Sequence, residues 1–302
     1  MNLETNTTTP AICYGEVLWD VLPDGPQPGG ALLNVSYHLN KLGMPTSLVS
    51  KIGNDENGQK LENLLDLWGI NRNLLQVDAD YPTSEVIAKM NNGNEVSYEI
   101  IFPVAWDFII NSQTIKTQIR PSSYFVFGSL ASRNSVSRDT LFELLESDAI
   151  KVFDINLRPP FINRNLLEDL LKKADIVKFN QAELEMAQVL FRGSYWNEAA
   201  QIRFIQDHFN IPEIIVTKGE FGASYYNQDK AYHVAGKEVE VADTIGSGDS
   251  FLAAFIANHY LGETPQTLLK NAIAMGGFIA TKKGGCPEYT LDEYIAFRNK
   301  IF

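Results

Sequence analysis

Short apolar runs rich in β-branched and aromatic residues recur along the chain, separated by stretches where apolar residues return every three or four positions. The runs predict strands at 11–14, 47–51, 124–127, 151–154, 176–179 and 214–218. The longer spacing predicts helices at 31–42, 58–68, 139–145, 164–173, 181–190, 195–208 and 250–259. This alternation implies an α/β fold: a doubly wound, mostly parallel sheet with helices on both faces. The run Tyr124-Phe125-Val126-Phe127 shows no polar alternation, as a strand buried on both faces requires.

Two segments break the rhythm. Residues 17–30 are dense in Pro and Gly, and residues 84–102 hold two β-prone runs around Asn91-Asn92-Gly93, a hairpin signal. Taken as about 17–30 and 84–107, they predict a small β lid inserted in one α/β domain spanning 11–302. Residues 1–10 are polar and are expected to form a flexible tail.

The chain has 302 residues, 45% hydrophobic and 21% charged, which suits a large core and excludes disorder. Its formal charge of −12 repels a phosphate backbone, so neither nucleic acid nor an anionic membrane is an expected partner. An anionic ligand would need a local positive field. No stretch is long and apolar enough to span a bilayer, and the first ten residues lack the basic and apolar regions of a secretory signal. Cys13 and Cys286 make no disulfide framework and read as thiols of a reducing cytoplasm, the expected location. His38, His208, His233 and His259 lack metal-ligand spacing.

The chemistry concentrates at 243–249, Asp-Thr-Ile-Gly-Ser-Gly-Asp, a turn opening a helix of small and apolar residues. Glycines at 246 and 248 let amides converge at the helix start, and unpaired amides with the positive helix end make an anion site. Asp249 there reads either as a base beside a bound phosphoryl group or as a helix cap, and local chemistry alone fits both. Gly53–Lys60 resembles a phosphate-binding loop until Gln59-Lys60, and reads as a strand-to-helix turn. No Gly-x-Gly-x-x-Gly occurs at 246–251, since Phe251 stands where the last glycine would be.

The 243–249 turn resembles the C-terminal signature of the ribokinase-like (PfkB) sugar kinases, Asp-Thr-x-Gly-Ala-Gly-Asp. Gly29–Asn34 is similar to that family's Gly-Gly-x-x-x-Asn, Asn180–Glu183 to its Asn-x-x-Glu, and Thr217–Ala223 to its Thr-x-Gly-x-x-Gly loop. The order and spacing fit over nearly the whole chain. Gly15–Asp20 and Asp154–Arg158 are most similar to bacterial fructokinases; 2-keto-3-deoxygluconate kinases share the Asn-x-Arg form of 156–158.

The resemblance implies an ATP-dependent sugar kinase with D-fructose as the leading acceptor; a 2-keto-3-deoxygluconate, ribose or nucleoside kinase is one alternative and a non-catalytic sugar- or nucleotide-binding regulator another. It gives Asp249 the role of base and the Gly246, Ser247 and Gly248 amides that of anion hole, with Arg158 meeting phosphate or a substrate oxygen. Asp20, Gly29, Gly30, Asn34 and Phe102 would hold the sugar, with Tyr98 and Trp106 as further lid candidates. Asn180, Thr217, Gly219, Gly222, Gly246 and Gly248 would meet the nucleotide, and Glu183 would act on Mg²⁺ through water. On spacing alone, Asn180 and Glu183 are also a capping box. Asp243 and Ile245 keep half of a monovalent cation (K⁺) site, with Glu288 where a small hydroxyl residue is frequent. Asn271 sits about two residues early for an adenine contact, and pairing of lid strands would make a homodimer.

Overall fold

Because side chains alternate across a strand, Ala11 and Cys13 point to one side of the first run and Ile12 and Tyr14 to the other, and all four are fully buried. Such a strand belongs at the centre of a sheet covered on both faces. The computed structural model, which describes residues 10–22, 25–90, 96–120, 123–193, 195–228 and 230–302, places it there. The expected tail, apart from Pro10, lies outside the described residues.

The strands in chain order are β1 (Ala11–Tyr14), β2 (Leu18–Leu22), β3 (Gly25–Gly29), β4 (Thr46–Gly53), β5 (Leu75–Asp78), β6 (Ser84–Met90), β7 (Val96–Ile100), β8 (Tyr124–Gly128), β9 (Ile150–Asp154), β10 (Ile176–Asn180), β11 (Glu213–Thr217), β12 (Ala223–Asn227) and β13 (Lys230–Val234). The main sheet has nine strands in the order β13-β12-β11-β10-β9-β8-β1-β4-β5, parallel except for β12 and β13. The chain builds outward from β1 in both directions, so the order reverses between β1 and β8. In open α/β sheets that reversal leaves a crevice at the carboxyl ends of the strands. Glu16, Asp154, Asn180 and Thr217 all lie at those ends.

A second sheet of four strands, β3-β2-β6-β7, grows from the two segments that broke the alternation. β6 and β7 pair antiparallel from Met90↔Val96, and the Asn-Asn-Gly turn between them lies outside the described residues. The expectation for 84–107 needs one correction. Ala105–Phe108 is a 3-10 turn tucked into the core, with Trp106 fully buried, so this ring does not face a sugar.

What holds that turn is a buried ion pair. Arg133 donates from Nε and Nη2 to the two Asp107 oxygens, both at 2.7 Å, and from Nη2 to Ile101 O at 2.8 Å. Its guanidinium lies 3.9 Å from the Trp106 ring centroid and 4.7 Å from that of Phe161. The side chains of Arg133 and Asp107 are 1% and 0% exposed. Truncating one partner strands the other's charge, so Arg133→Met is expected to cost about 3–5 kcal/mol, seen as a melting temperature lower by roughly 10 °C. A loss below about 1 kcal/mol would mean the pair is solvated.

Candidate active site

Amides at a helix start must find acceptors, and in this chain most find a local side chain. Of the ten α-helices among the described residues, eight have an N-cap side chain accepting from the first turn. The helix after the phosphate-loop look-alike is one of these: Asp55 accepts from Gly58 N at 2.8 Å, which closes that end to an anion. Two helices have none, Ala31–Lys41 and Ser247–Tyr260. Each follows a glycine with positive φ, Gly30 at 106° and Gly246 at 72°. They meet: Asn34 Nδ2, in the first turn of one, donates to Asp249 Oδ2, in the first turn of the other, at 2.8 Å.

At the second of these ends Ser250 N reaches Gly246 O at 2.8 Å, and Ser247 N turns back to Thr244 O at 3.2 Å. Of the three amides expected to hold an anion, Ser247's is therefore spent on the turn, while Gly246 and Gly248 have no acceptor among the described residues. The Ser247 hydroxyl is also engaged, with Gly276 O at 3.0 Å. Asp249 does not cap its own helix. Burial pushes its carboxyl up to about 6; Asp154 adds to the rise, while the Asn34 hydrogen bond, Lys178 and Arg158 oppose it. A carboxyl that titrates near neutrality, faces a positive helix end and keeps one oxygen free of hydrogen bonds suits proton abstraction.

Asp20 stands over Gly29, whose missing side chain leaves room for the Asp20 carboxylate. Burial pushes Asp20 up to about 6, with Arg158 opposing, and no described group hydrogen-bonds it. A half-buried carboxylate left with all its acceptor capacity is suited to polyol hydroxyls. At Gly30 a Cβ would come within 2.5 Å of Glu16 O, so backbone passes here at van der Waals distance. Arg158 is exposed, and its charge reaches Asp20, Glu16 and Asp249. Phe102 is 50% exposed beside Phe161, their ring centroids 6.0 Å apart. The Tyr98 side chain lies outside the described residues.

Asn180 and Glu183 form the capping box: Glu183 N donates to Asn180 Oδ1 at 2.9 Å, and Asn180 N to Glu183 Oε2 at 2.8 Å. Glu183 Oε1 also accepts from Leu157 N at 3.2 Å, which joins this helix end to the 155–158 loop. Thr217 ends β11 beside them; Gly219 (φ 56°) faces open space, whereas Gly222 (φ 93°) packs on the backbone of 234–236 and shapes the loop. Asp243 accepts from Ile245 N and Gly284 N, both at 3.0 Å, and so braces the signature turn against the 281–286 turn. Asn271 turns its amide to Asn258 Oδ1 at 2.6 Å, which ties two helices together.

Three participants escaped the sequence reading. Lys178 projects from β10 and is clamped to Asp154 beside the signature turn. Glu16 is buried, accepts from Ala31 N at 3.2 Å through Oε1, and is pushed up to about 7 chiefly by burial. His38 donates from Nε2 to Gly285 O (2.9 Å) and accepts from the Tyr289 hydroxyl (3.0 Å); the carbonyl fixes this tautomer. Gly285 leaves room for the Asn34 amide, which a Cβ there would meet at 2.7 Å, and Cys286 donates its S–H to Asn34 Oδ1 at 3.2 Å, so the 281–290 turn sets the Asn34 rotamer. A lysine inside the apolar run Ile176–Phe179 was a legible signal, because a charge in a buried strand demands a partner.

Residues 10–290 match the pfkB family carbohydrate kinase model. The probable fructokinase-5 of Arabidopsis thaliana is 27% identical over 307 residues, covering 91% of this chain and 93% of that protein. Fructokinase-2 of Solanum lycopersicum is 25% identical over 91% of this chain and 92% of its own length. Among solved structures, the fructokinase of Vibrio cholerae O395, in its fructose, ADP and calcium ion bound form, superposes with a TM-score of 0.82 at 23% identity, covering 96% of this chain and 99% of that one. The aminoimidazole riboside kinase of Salmonella enterica, complexed with aminoimidazole riboside and an ATP analogue, gives 0.78 at 23% identity, over 95% and 99%. The α/β fold expected from the alternation is the fold these chains share. Among the described residues no helix is long and apolar enough to cross a membrane.

Proposed function

The chain belongs to the pfkB family of carbohydrate kinases, and on that premise we propose that it transfers the γ-phosphoryl group of ATP to a hydroxyl of a small sugar, D-fructose foremost. The observation that carries this is the meeting of the two uncapped helices. Asp249 stands in the first turn of one, and Asn34, from the other, holds only one of its carboxylate oxygens. The free oxygen takes the proton of the attacking hydroxyl. The Gly246 and Gly248 amides, which have no acceptor among the described residues, receive the charge that develops on the travelling phosphoryl group, so little has to reorganise as it moves.

The acceptor sugar is gripped by Asp20 and by the main chain at Gly29–Gly30, with Phe102 above it and Arg158 supplying a positive field in an acidic protein. The four-stranded sheet acts as a lid. Pro26 and Pro28 remove donors from its β3 edge, so pairing with a second copy would fall to β7. For the nucleotide, the chain offers donors without partners at one helix end and an open loop at Thr217–Gly219. Mg²⁺ suits the oxygen ligands of the Asn180–Glu183 box, which keep lone pairs for metal-bound water; it would neutralise phosphate charge there. Asp243 and Ile245 would flank a monovalent cation, through lone pairs that the two amides on Asp243 leave open. The fructokinase relatives named above support the choice of sugar.

The test is ADP release from ATP and Mg²⁺ against fructose, ribose, 2-keto-3-deoxygluconate and adenosine in parallel. Fructose is expected to give a kcat/KM at least tenfold above the others. Preference for the acid would move the role of Arg158 from field to ligand and displace fructose. ADP release with none of them would leave a sugar- or nucleotide-binding regulator as the reading.

A further inference from the structure

Lys178 is 6% exposed and reaches from β10 to the turn that opens helix Ser247–Tyr260. The parallel pairing of β9 and β10 sets it directly opposite Asp154, the last residue of β9. Nζ donates to both Asp154 oxygens, at 2.8 and 2.9 Å. An ammonium has three protons, so one remains. On its other side Nζ lies 3.5 Å from where a Cβ of Gly248 would sit, against the turn whose amides are open. A bare Asp154 at this depth would set a second negative charge beside Asp249, exactly where a polyphosphate must enter.

We infer that Lys178 is a positioning residue of this site: clamped by Asp154 under the Gly248 turn, its ammonium cancels the Asp154 charge so that Asp249 can remain ionised as a phosphoryl group approaches. The inference rests on the phosphotransfer reading for its catalytic consequence, but the charge coupling itself stands on the geometry. The groups that Asp249 faces are Glu16 after β1, Asn34 on helix Ala31–Lys41, Asp154 on β9, Arg158 in the loop that follows, Lys178 on β10 and Cys286 in the 281–290 turn. Asp154 is the charge that raises Asp249 most, after burial, and Lys178 and Arg158 are the cations that lower it. Burial alone would depress the Lys178 ammonium; Asp154, with help from Glu183 and Asp249, carries it above its ordinary range, so it stays charged.

Two readouts separate this from a merely structural pair. One is the acid limb of kcat/KM for the sugar. The other is the titration of Asp249 followed by ¹³C NMR of aspartate carboxyls in the whole protein, its signal assigned by loss in Asp249→Asn. In Lys178→Met both midpoints are expected to rise by about one pH unit. In Asp154→Asn, which leaves the cation alone, both should fall by a similar amount. The neutral pair, Lys178→Met with Asp154→Asn, should return them close to wild type, and Lys178→Arg should keep them there. Midpoints unmoved in Lys178→Met, or a double variant displaced as far as Lys178→Met alone, would overturn the inference. Should Lys178→Met not fold, Asp154→Asn decides: an unmoved Asp249 titration there also overturns it. If wild type releases no ADP with any sugar, the kinase reading fails while the NMR readout still decides the coupling.

Discussion

Asp249→Asn is expected to lower turnover about a thousandfold, within what a positioned proton acceptor supplies, while nucleotide affinity stays within about threefold of wild type. The new amide is isosteric and still offers Asn34 Nδ2 an acceptor oxygen, so the 2.8 Å contact survives. The Gly246 and Gly248 amides belong to the backbone and are untouched. What is lost is the ability to accept a proton. Because burial pushes Asp249 up to about 6, wild-type kcat/KM should fall as pH drops through 6, and the residual rate of the variant should be flat there. Stability should move the other way. A carboxyl whose folded value lies above its unfolded 3.8 contributes stability below about pH 4 and loses it as pH rises through 6, so ionised Asp249 burdens the fold at neutral pH. The variant should therefore melt roughly 2–4 °C higher at pH 7.5. ADP release, calorimetric titration with ADP and thermal melts check the three parts. A variant that keeps wild-type turnover would remove Asp249 from the role of base.

How far the fold and the site could be read beforehand follows from how local each signal is. The strand at Ala11–Tyr14 was bounded to the residue, because a run buried on both faces is apolar at every position. Helix Ser247–Tyr260 was started three residues late, since Ser247-Gly248-Asp249 resembles loop until the turn that precedes it is known. The hairpin of β12 and β13 was missed: Lys230-Ala231-Tyr232-His233 lies at the sheet edge, mostly exposed, and carries no apolar run. Helix Leu291–Ile301 was missed too, for it buries only Tyr294. In the site, glycines and carboxylates were legible because turns and anion holes demand them at fixed spacing. Glu16 and His38 were not, since each acts through a partner 15 to 251 residues away, given by turn packing; Lys178 stood out as a charge in a buried run, but only the sheet register names Asp154 as its partner. Trp106 stood open between lid and core for a related reason: only the 3-10 turn at Ala105–Phe108 decides which of the two that ring faces.

Gly246→Ala carries the second large effect, and it tests the anion hole where Asp249→Asn tests the base. The residue has φ 72°, and a Cβ there would lie 2.6 Å from Gly285 Cα. Gly285 cannot simply retreat, because its carbonyl is held by His38 and the Asn34 amide lies so close that a Cβ on Gly285 would come within 2.7 Å of it. The displacement would thus pass through Gly285 to Asn34, and from Asn34 to the carboxylate it orients. Loss of aimed amides at a developing charge costs about a hundred- to a thousandfold in turnover. Backbone strain and overpacking together should cost about 2–4 kcal/mol in stability. Gly262→Ala separates strain from site: Gly262 has φ 71° as well, but a Cβ there meets nothing within 4 Å. It should lose about 1 kcal/mol and no activity. Steady-state kinetics and melts on both variants read the comparison. If Gly246→Ala behaves like Gly262→Ala, the turn pays only for its own conformation, and the phosphoryl group is held elsewhere.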